Sequence, residues 1–197
     1  MRTKSPPHMQ VVKRKSKQDQ LIDFILKQLD LLDDRDQMNC SHELQLIALS
    51  SKSPVVSALM HVAQTRNLSK YSVRIIFASS VETNNVQFFK GLRQVSIHYA
   101  KNSRLLEAHE QLVISNATCW IGDCMRRDPG KCDSIECYAE NCEETTSRAK
   151  TSFERFWLMS IPMIYADTNK CGELVSQTLI TMPNCDRKTV IVSGTLH

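Results

Sequence analysis

The hydrophobic positions along the chain change period several times, and each change marks an element. Over residues 18–35, Leu21, Ile25, Leu29 and Leu32 recur on one helical face with Phe24 beside them, while Lys27, Asp30, Asp33 and Asp34 fill the other. That spacing predicts an amphipathic helix. The run L-Q-L-I-A-L at 44–49 reads as a buried strand. A helix follows through Val55, Val56, Leu59, Met60, Val62 and Ala63, with Ser53 as N-cap and Pro54 at its first position. A second strand, V-R-I-I-F-A, covers 73–78, and a short helix over 85–92 carries Phe88, Phe89 and Leu92. Val95, Ile97 and Tyr99 alternate in a third strand.

Two short β-like runs come next, at 111–115 and 119–121, around a turn at Asn116-Ala117-Thr118. His109 stands just before the first run and Gly122 closes the second. After a polar loop over 124–131, residues 134–139 read as a further strand, and 145–160 as a helix with Ala149, Phe153, Phe156 and Trp157 at near-helical spacing. Two β-like pieces, 176–182 and 189–193, surround the turn Pro183-Asn184-Cys185-Asp186. Strands alternating with helices in this order predict an α/β sheet with helices on both faces.

Composition narrows the class. At 197 residues, with 42% hydrophobic and 23% charged residues, the chain is long enough for one cored domain and hardly for two. No apolar run approaches the roughly 18–20 residues of a membrane span; the longest, 156–166, is broken by Ser160 and Pro162. The N-terminus has no apolar leader, so a cytoplasmic location is expected. Charge divides the chain. Residues 1–18 hold Arg2, Lys4, Lys13, Arg14, Lys15 and Lys17 with no acid, and the net charge of +4 leaves the rest net negative. Residues 1–18 are therefore expected to be a flexible basic arm, with 19–165 the domain and 166–197 a β-like extension of it. Such an arm is a footprint of contact with nucleic acid or another anionic phosphate ligand.

Of the eight cysteines, five fall close together: Cys119, Cys124, Cys132, Cys137 and Cys142. No C-x2-C pair occurs, so a structural zinc site is not expected, and neither are disulfides in the cytosol. Buried free thiols are the expectation. His42, His61 and His98 form no constellation with other residues along the sequence.

The element order, with a histidine opening a hairpin strand whose partner ends in W-I-G, resembles one half of the phospholipase D-like fold. The resemblance covers residues 43–160, by pattern rather than identity. Family members carry H-x-K-x4-D followed by G-S-x-N. His109 matches the histidine, Gln111 stands at the lysine position and Asn116 at the aspartate position. Gly122 matches the glycine one residue early, and Asp123 and Met125 stand at the serine and asparagine positions. By its spacing on the next strand Glu136 fits the acid that holds the histidine's second nitrogen, and Phe153 to Trp157 matches a closing-helix habit.

What the resemblance implies is metal-independent, cofactor-free phosphodiester chemistry. The histidine attacks phosphorus to give a phosphohistidine, a second motif's histidine protonates the leaving oxygen, and the carboxylate orients the imidazole. The lysine and asparagine clamp the phosphoryl oxygens. Here Gln111 brings hydrogen bonds without charge and Met125 brings none. Arg126 and Arg127 lie just past the hairpin and suit phosphate by their planar forks. One motif per chain implies a two-fold homodimer with both motifs at the axis. Three functions follow as expectations. The motif losses favour a phospholipase D-like protein that binds a phosphate-containing partner, or acts as a scaffold, without efficient turnover. The retained His109 and Glu136 favour an active phosphodiesterase, nuclease or phospholipase, with Arg126 or Arg127 in the lysine's place. The arm by itself favours a plain nucleic-acid-binding protein.

Overall fold

The computed structural model describes residues 6–35, 42–79, 92, 94–101, 108–125 and 132–163. The helix expected over 85–92, the two arginines Arg126 and Arg127, and the extension 166–197 lie outside them, Leu92 excepted. Residues 1–164 form one compact unit.

Among the described residues eight strands make a single sheet: β1 (His8–Lys13), β2 (His42–Ala48), β3 (Tyr71–Phe77), β4 (Gln94–Ala100), β5 (His109–Val113), β6 (Cys119–Cys124), β7 (Asp133–Ala139) and β8 (Ser160–Pro162). They lie in the order β1-β7-β6-β5-β2-β3-β4-β8. The β2-β3-β4 centre is parallel, and every other pairing is antiparallel. The three described helices are α1 (Lys17–Arg35), α2 (Pro54–Thr65) and α3 (Glu143–Met159).

Side-chain alternation along the strands separates two faces. On one, α1 packs on α2 and buries Leu21, Ile25 and Leu29 completely. On the other, α3 lays Phe153 into a cluster with Ile47, Ile76 and Met125, and Ala149 into one with Val113, Cys119 and Ala139. Helices therefore cover both faces of the sheet, as the pattern of strands and helices predicts. None of the described helices is long and apolar enough to cross a membrane.

The N-terminal segment is not a loose arm where it is described. Residues 8–13 pair antiparallel with β7, Val12 is buried, and a single 3-10 turn, Arg14–Ser16, leads into α1. The reason is twofold: β7 presents a strand edge that needs a partner, and Lys17 is drawn into a buried ion-pair network. The cysteines also depart from expectation. All five described are free thiols, but only Cys119 is fully buried; Cys124, Cys137 and Cys142 are half-buried and Cys132 is exposed.

At the far end, α3 stops at Met159 and the chain pairs with β4 through Ser160–Pro162. Pro162 is tolerated because β8 is an edge strand, where no ladder donor is needed. His98 on β4 stacks on Trp157 at 3.6 Å between ring centroids, and Arg74 lies 4.2 Å over the same indole while bridging Glu43 and Glu154. These contacts fix the last turns of α3 against the sheet.

Candidate functional site

β2 runs parallel to β3 on one side and antiparallel to β5 on the other, so the chain leaves its carboxyl end at a change of direction in the sheet. Crevices of this kind are where open α/β sheets take ligands. A cavity of about 330 Å³ opens there, lined by Arg14, Lys17, Leu49, Ser50, Lys52, Ser53, Pro54, Glu110, Asp123, Cys124 and Met125. A larger cavity of about 540 Å³ lies between β1, β7 and α1, but none of the motif positions lines it. The smaller one is therefore the candidate site.

Its floor is built from three strands and the first residue of α1. Lys17 is 4% exposed and Glu136 fully buried, with Lys17 Nζ 3.0 Å from Glu136 Oε1 and 3.5 Å from Glu110 Oε2. The ammonium also sits 5.0 Å from the centre of the Trp120 ring system. Glu136 accepts hydrogen bonds from Trp120 Nε1 (2.9 Å), the Ser134 hydroxyl (2.9 Å) and the Tyr138 hydroxyl (3.0 Å). Glu110 accepts one from the Leu49 backbone N–H at 3.2 Å, which ties β5 to the end of β2. Burial and the Glu136 charge both push the Tyr138 phenol well above its ordinary range. A buried carboxylate is tolerable when a cation and several donors surround it, and here each condition is met.

Gly122 is required by this floor. A Cβ there would stand 2.4 Å from Trp120 Cη2 and 2.5 Å from Cζ2, because the indole folds across the strand two residues on. The glycine matched to the motif thus has a packing role in this chain.

The motif positions are dispersed. A bulge between His109 and Gln111 disturbs the register of β5 against β6, and bulges re-aim side chains. His109 is exposed at the start of β5, with Nδ1 2.8 Å from the Gly122 carbonyl oxygen. Since a carbonyl only accepts, Nδ1 is the donor, and in the neutral ring the lone pair then lies on Nε2. Glu136 does not hold His109: its partners are Lys17, Trp120, Ser134 and Tyr138, all on the α1 side of the sheet. The orienting role expected for Glu136 is corrected on that ground, and the Gly122 carbonyl takes its place.

Gln111 points to the opposite face, where its amide donates to the Ala149 carbonyl in α3 at 2.9 Å. Asn116 sits on the hairpin turn, at the other end of β5 from His109, and accepts a hydrogen bond from Lys150 at 2.5 Å. Met125 turns into the core beneath α3. Asp123 lines the cavity, where its Oδ1 accepts from the Cys124 backbone N–H. Of the motif positions the structure therefore puts Asp123 and Met125 on the cavity wall, holds Glu136 fully buried behind Lys17, and sends Gln111 and Asn116 to α3. Lys17, Glu110, Arg14 and Lys52 also line the cavity; Arg14 and Lys17 were expected only as parts of a flexible basic arm, and Glu110 and Lys52 not at all. Glu110, a lone acid opening an apolar strand, was the one local signal in the sequence.

Among the described residues no group of three or more His, Cys, Asp or Glu is placed to hold a metal ion. By sequence, no family model and no curated protein matches. By structure, the chain is similar to Nuc, a phospholipase D family member from Salmonella typhimurium: 10% identity, 81% of this chain and 100% of that one covered, TM-score 0.54. Similarity also extends to NucT from Helicobacter pylori (13% identity, 80% and 100% covered, TM-score 0.47) and to polyphosphate kinase from Porphyromonas gingivalis (11%, 82% and 25%, TM-score 0.49). Sheet order, flanking helices and the similarity to Nuc give this chain the phospholipase D-like fold.

Proposed function

We propose that the protein is a phospholipase D-like protein without efficient turnover, which holds a phosphate-containing partner at the basic rim of the groove. The observation that carries this reading is the commitment of Lys17. The groove's buried cation is neutralised by Glu110 and Glu136, and the residue at the motif's lysine position, Gln111, is spent on α3. A phosphoryl group entering the groove meets the carboxylates of Glu110 and Asp123 where charge-stabilising donors are needed. Each missing donor of that kind costs about 10²–10³ in rate.

The rim has a different character. Exposed Arg14 on the β1–α1 connection and exposed Lys52 before α2 place basic side chains at the opening. Folding of the N-terminal segment into β1 fixes this positive edge in position. Binding of a short single-stranded oligonucleotide, used as a generic phosphodiester polyanion, is expected to weaken on raising salt and to fall in an Arg14→Ala/Lys52→Ala variant. Unchanged affinity in that variant overturns the rim assignment. On the same reading the chain works as a two-fold dimer, and light scattering at micromolar concentration is expected to give twice the chain mass; a monomer mass removes the dimer.

One observation favours a second reading, an active phosphodiesterase. The Gly122 carbonyl fixes His109 in the tautomer that leaves Nε2 as an exposed nucleophile. Hydrolysis that depends on His109 decides between the two readings.

A further inference from the structure

β1 stands at one end of the strand order, so among the described residues no strand pairs with its outer side. The antiparallel alternation decides which of its backbone groups face that side. The Arg14 N–H donates to the Cys132 carbonyl oxygen at 2.9 Å, and the register carries the hydrogen-bonded pairs on through Val12 with Ser134, Gln10 with Glu136 and His8 with Tyr138. Met9, Val11 and Lys13 therefore turn their N–H and C=O groups away from β7, to the open edge. Unpaired ladder groups of this kind are a template for another strand.

The side chains of the same three residues share one face with Asp133, Ile135 and Cys137, which stand directly opposite them. Cys137 lies opposite Ile121, whose packing puts this face on the α3 side of the sheet. α3 packs mainly on β2, β4, β5 and β6. Met9, Val11 and Ile135 are left 64%, 69% and 56% exposed as neighbours in one patch. Contiguous exposed apolar surface marks an interaction site.

The strand that fits this edge is β1 itself, run antiparallel about a two-fold axis at Val11. Met9 then meets the partner's Lys13, Val11 meets the partner's Val11, and every outward N–H has a carbonyl to reach. Neighbouring registers are worse. Shifted one way, Lys13 meets the partner's Pro7, which has no N–H; shifted the other, Met9 meets the partner's Lys15, which has left the strand for the 3-10 turn. In the Val11 register an apolar row crosses the seam from Ile135 through both valines to the partner's Ile135. In the next row Lys13 has Asp133 on one side and the partner's Met9 on the other, so no like charges stand opposite. The antiparallel direction also sends the exposed basic residues Lys13, Arg14 and Lys15 of the two copies to opposite ends. At about 3.4 Å per residue the two Arg14 positions are about 20 Å apart along the seam, beyond the screening length of about 8 Å.

We infer that two copies of the chain join edge to edge through β1, with Val11 on the two-fold axis. The inference rests on the dimer proposed above and names its seam. The two sheets run on as one, and each groove stays open within its own protomer instead of lying on the axis. Pro7 and Lys13, which bracket the strand, set the register of the seam.

The test is the mass of the full chain by light scattering at micromolar concentration, for wild type and Val11→Lys. The substituted side chain is exposed within one protomer but sets two ammonium groups opposite each other at the axis. Wild type is expected at twice the chain mass, and Val11→Lys at the single mass with an unchanged circular dichroism spectrum. A Val11→Lys protein that keeps the double mass overturns the seam and leaves the dimer standing; a wild type at the single mass removes the dimer and the seam with it. Amide hydrogen exchange in wild type decides the matter even where the variant folds poorly. In the dimer the Met9, Val11 and Lys13 amides are expected to exchange slowly and to speed up on dilution to monomer. Fast exchange at these three amides in a dimeric protein overturns the inference.

Discussion

Replacing Lys17 by Met tests the network beneath the groove and the ordering of the N-terminal segment together. Methionine keeps most of the aliphatic stem that lies against Trp120 and deletes only the ammonium. Glu136 is then left fully buried with three hydrogen-bond donors and no counter-charge, and Glu110 loses the same partner. Breaking a buried ion pair from one side costs about 3–5 kcal/mol. For a domain of this size each kcal/mol moves the melting temperature by about 2–4 °C, so a fall of roughly 6–20 °C is expected. Thermal unfolding followed by circular dichroism measures it. Glu136→Gln alone and in combination completes a double-mutant cycle, in which the pair is expected to fall short of additivity by about 0.5–3 kcal/mol. A Lys17→Met protein that melts within about 1 °C of wild type behaves as a surface substitution. That result would return residues 8–17 to the status of a solvated arm and refute the buried network.

Two further changes probe neighbouring parts of the argument. Gly122→Ala drives a methyl into the buried Trp120 ring and is expected to cost about 1–3 kcal/mol by overpacking; a urea midpoint equal to wild type shows that the indole is not held there. His98 is kept below its usual 6.5 by burial, with the Arg74 charge adding to the effect against the Trp157 backbone. The unfolded chain therefore takes up this proton first as pH falls. The contribution of neutral His98 to stability is complete above about pH 6.5 and is lost as pH drops towards the lower folded value. His98→Phe, which keeps a ring against Trp157, is expected to flatten the fall in melting temperature between pH 7 and 5; an unchanged slope contradicts the burial of that imidazole.

Much of the sheet was legible because its central strands β2 and β3 are mostly buried and read as short apolar runs, while β7 shows a short β-like alternation. The stretches at 44–49, 73–78 and 134–139 fall on β2, β3 and β7, and the period of Leu21, Ile25 and Leu29 falls on α1. β1 was hidden for a physical reason: Val12 is its one buried apolar side chain, whereas Met9 and Val11 are exposed, so the strand shows alternation with the wrong face out. Its charges then read as an arm. β8 was missed because three residues at an edge, ending in proline, carry almost no periodic signal.

The site was legible in its positions more than in its contacts. Asp123 lines the cavity and Glu136 lies buried behind its Lys17, but spacing could not show the bulge between His109 and Gln111, nor that Gln111 would be spent on α3 while Glu110 reaches the end of β2. Nor does a linear reading reveal Lys17, whose partners lie 93 and 119 residues away in the chain and are brought to it by the pairing of β1 with β7.

The most direct test of the central claim is hydrolysis of an aryl phosphodiester in the presence of a chelator, by wild type and His109→Ala in parallel at high protein concentration. The committed Lys17 and the inward-turned Gln111 predict release no faster than background in both proteins. Turnover by wild type that vanishes in His109→Ala would contradict the account and make His109 a working nucleophile.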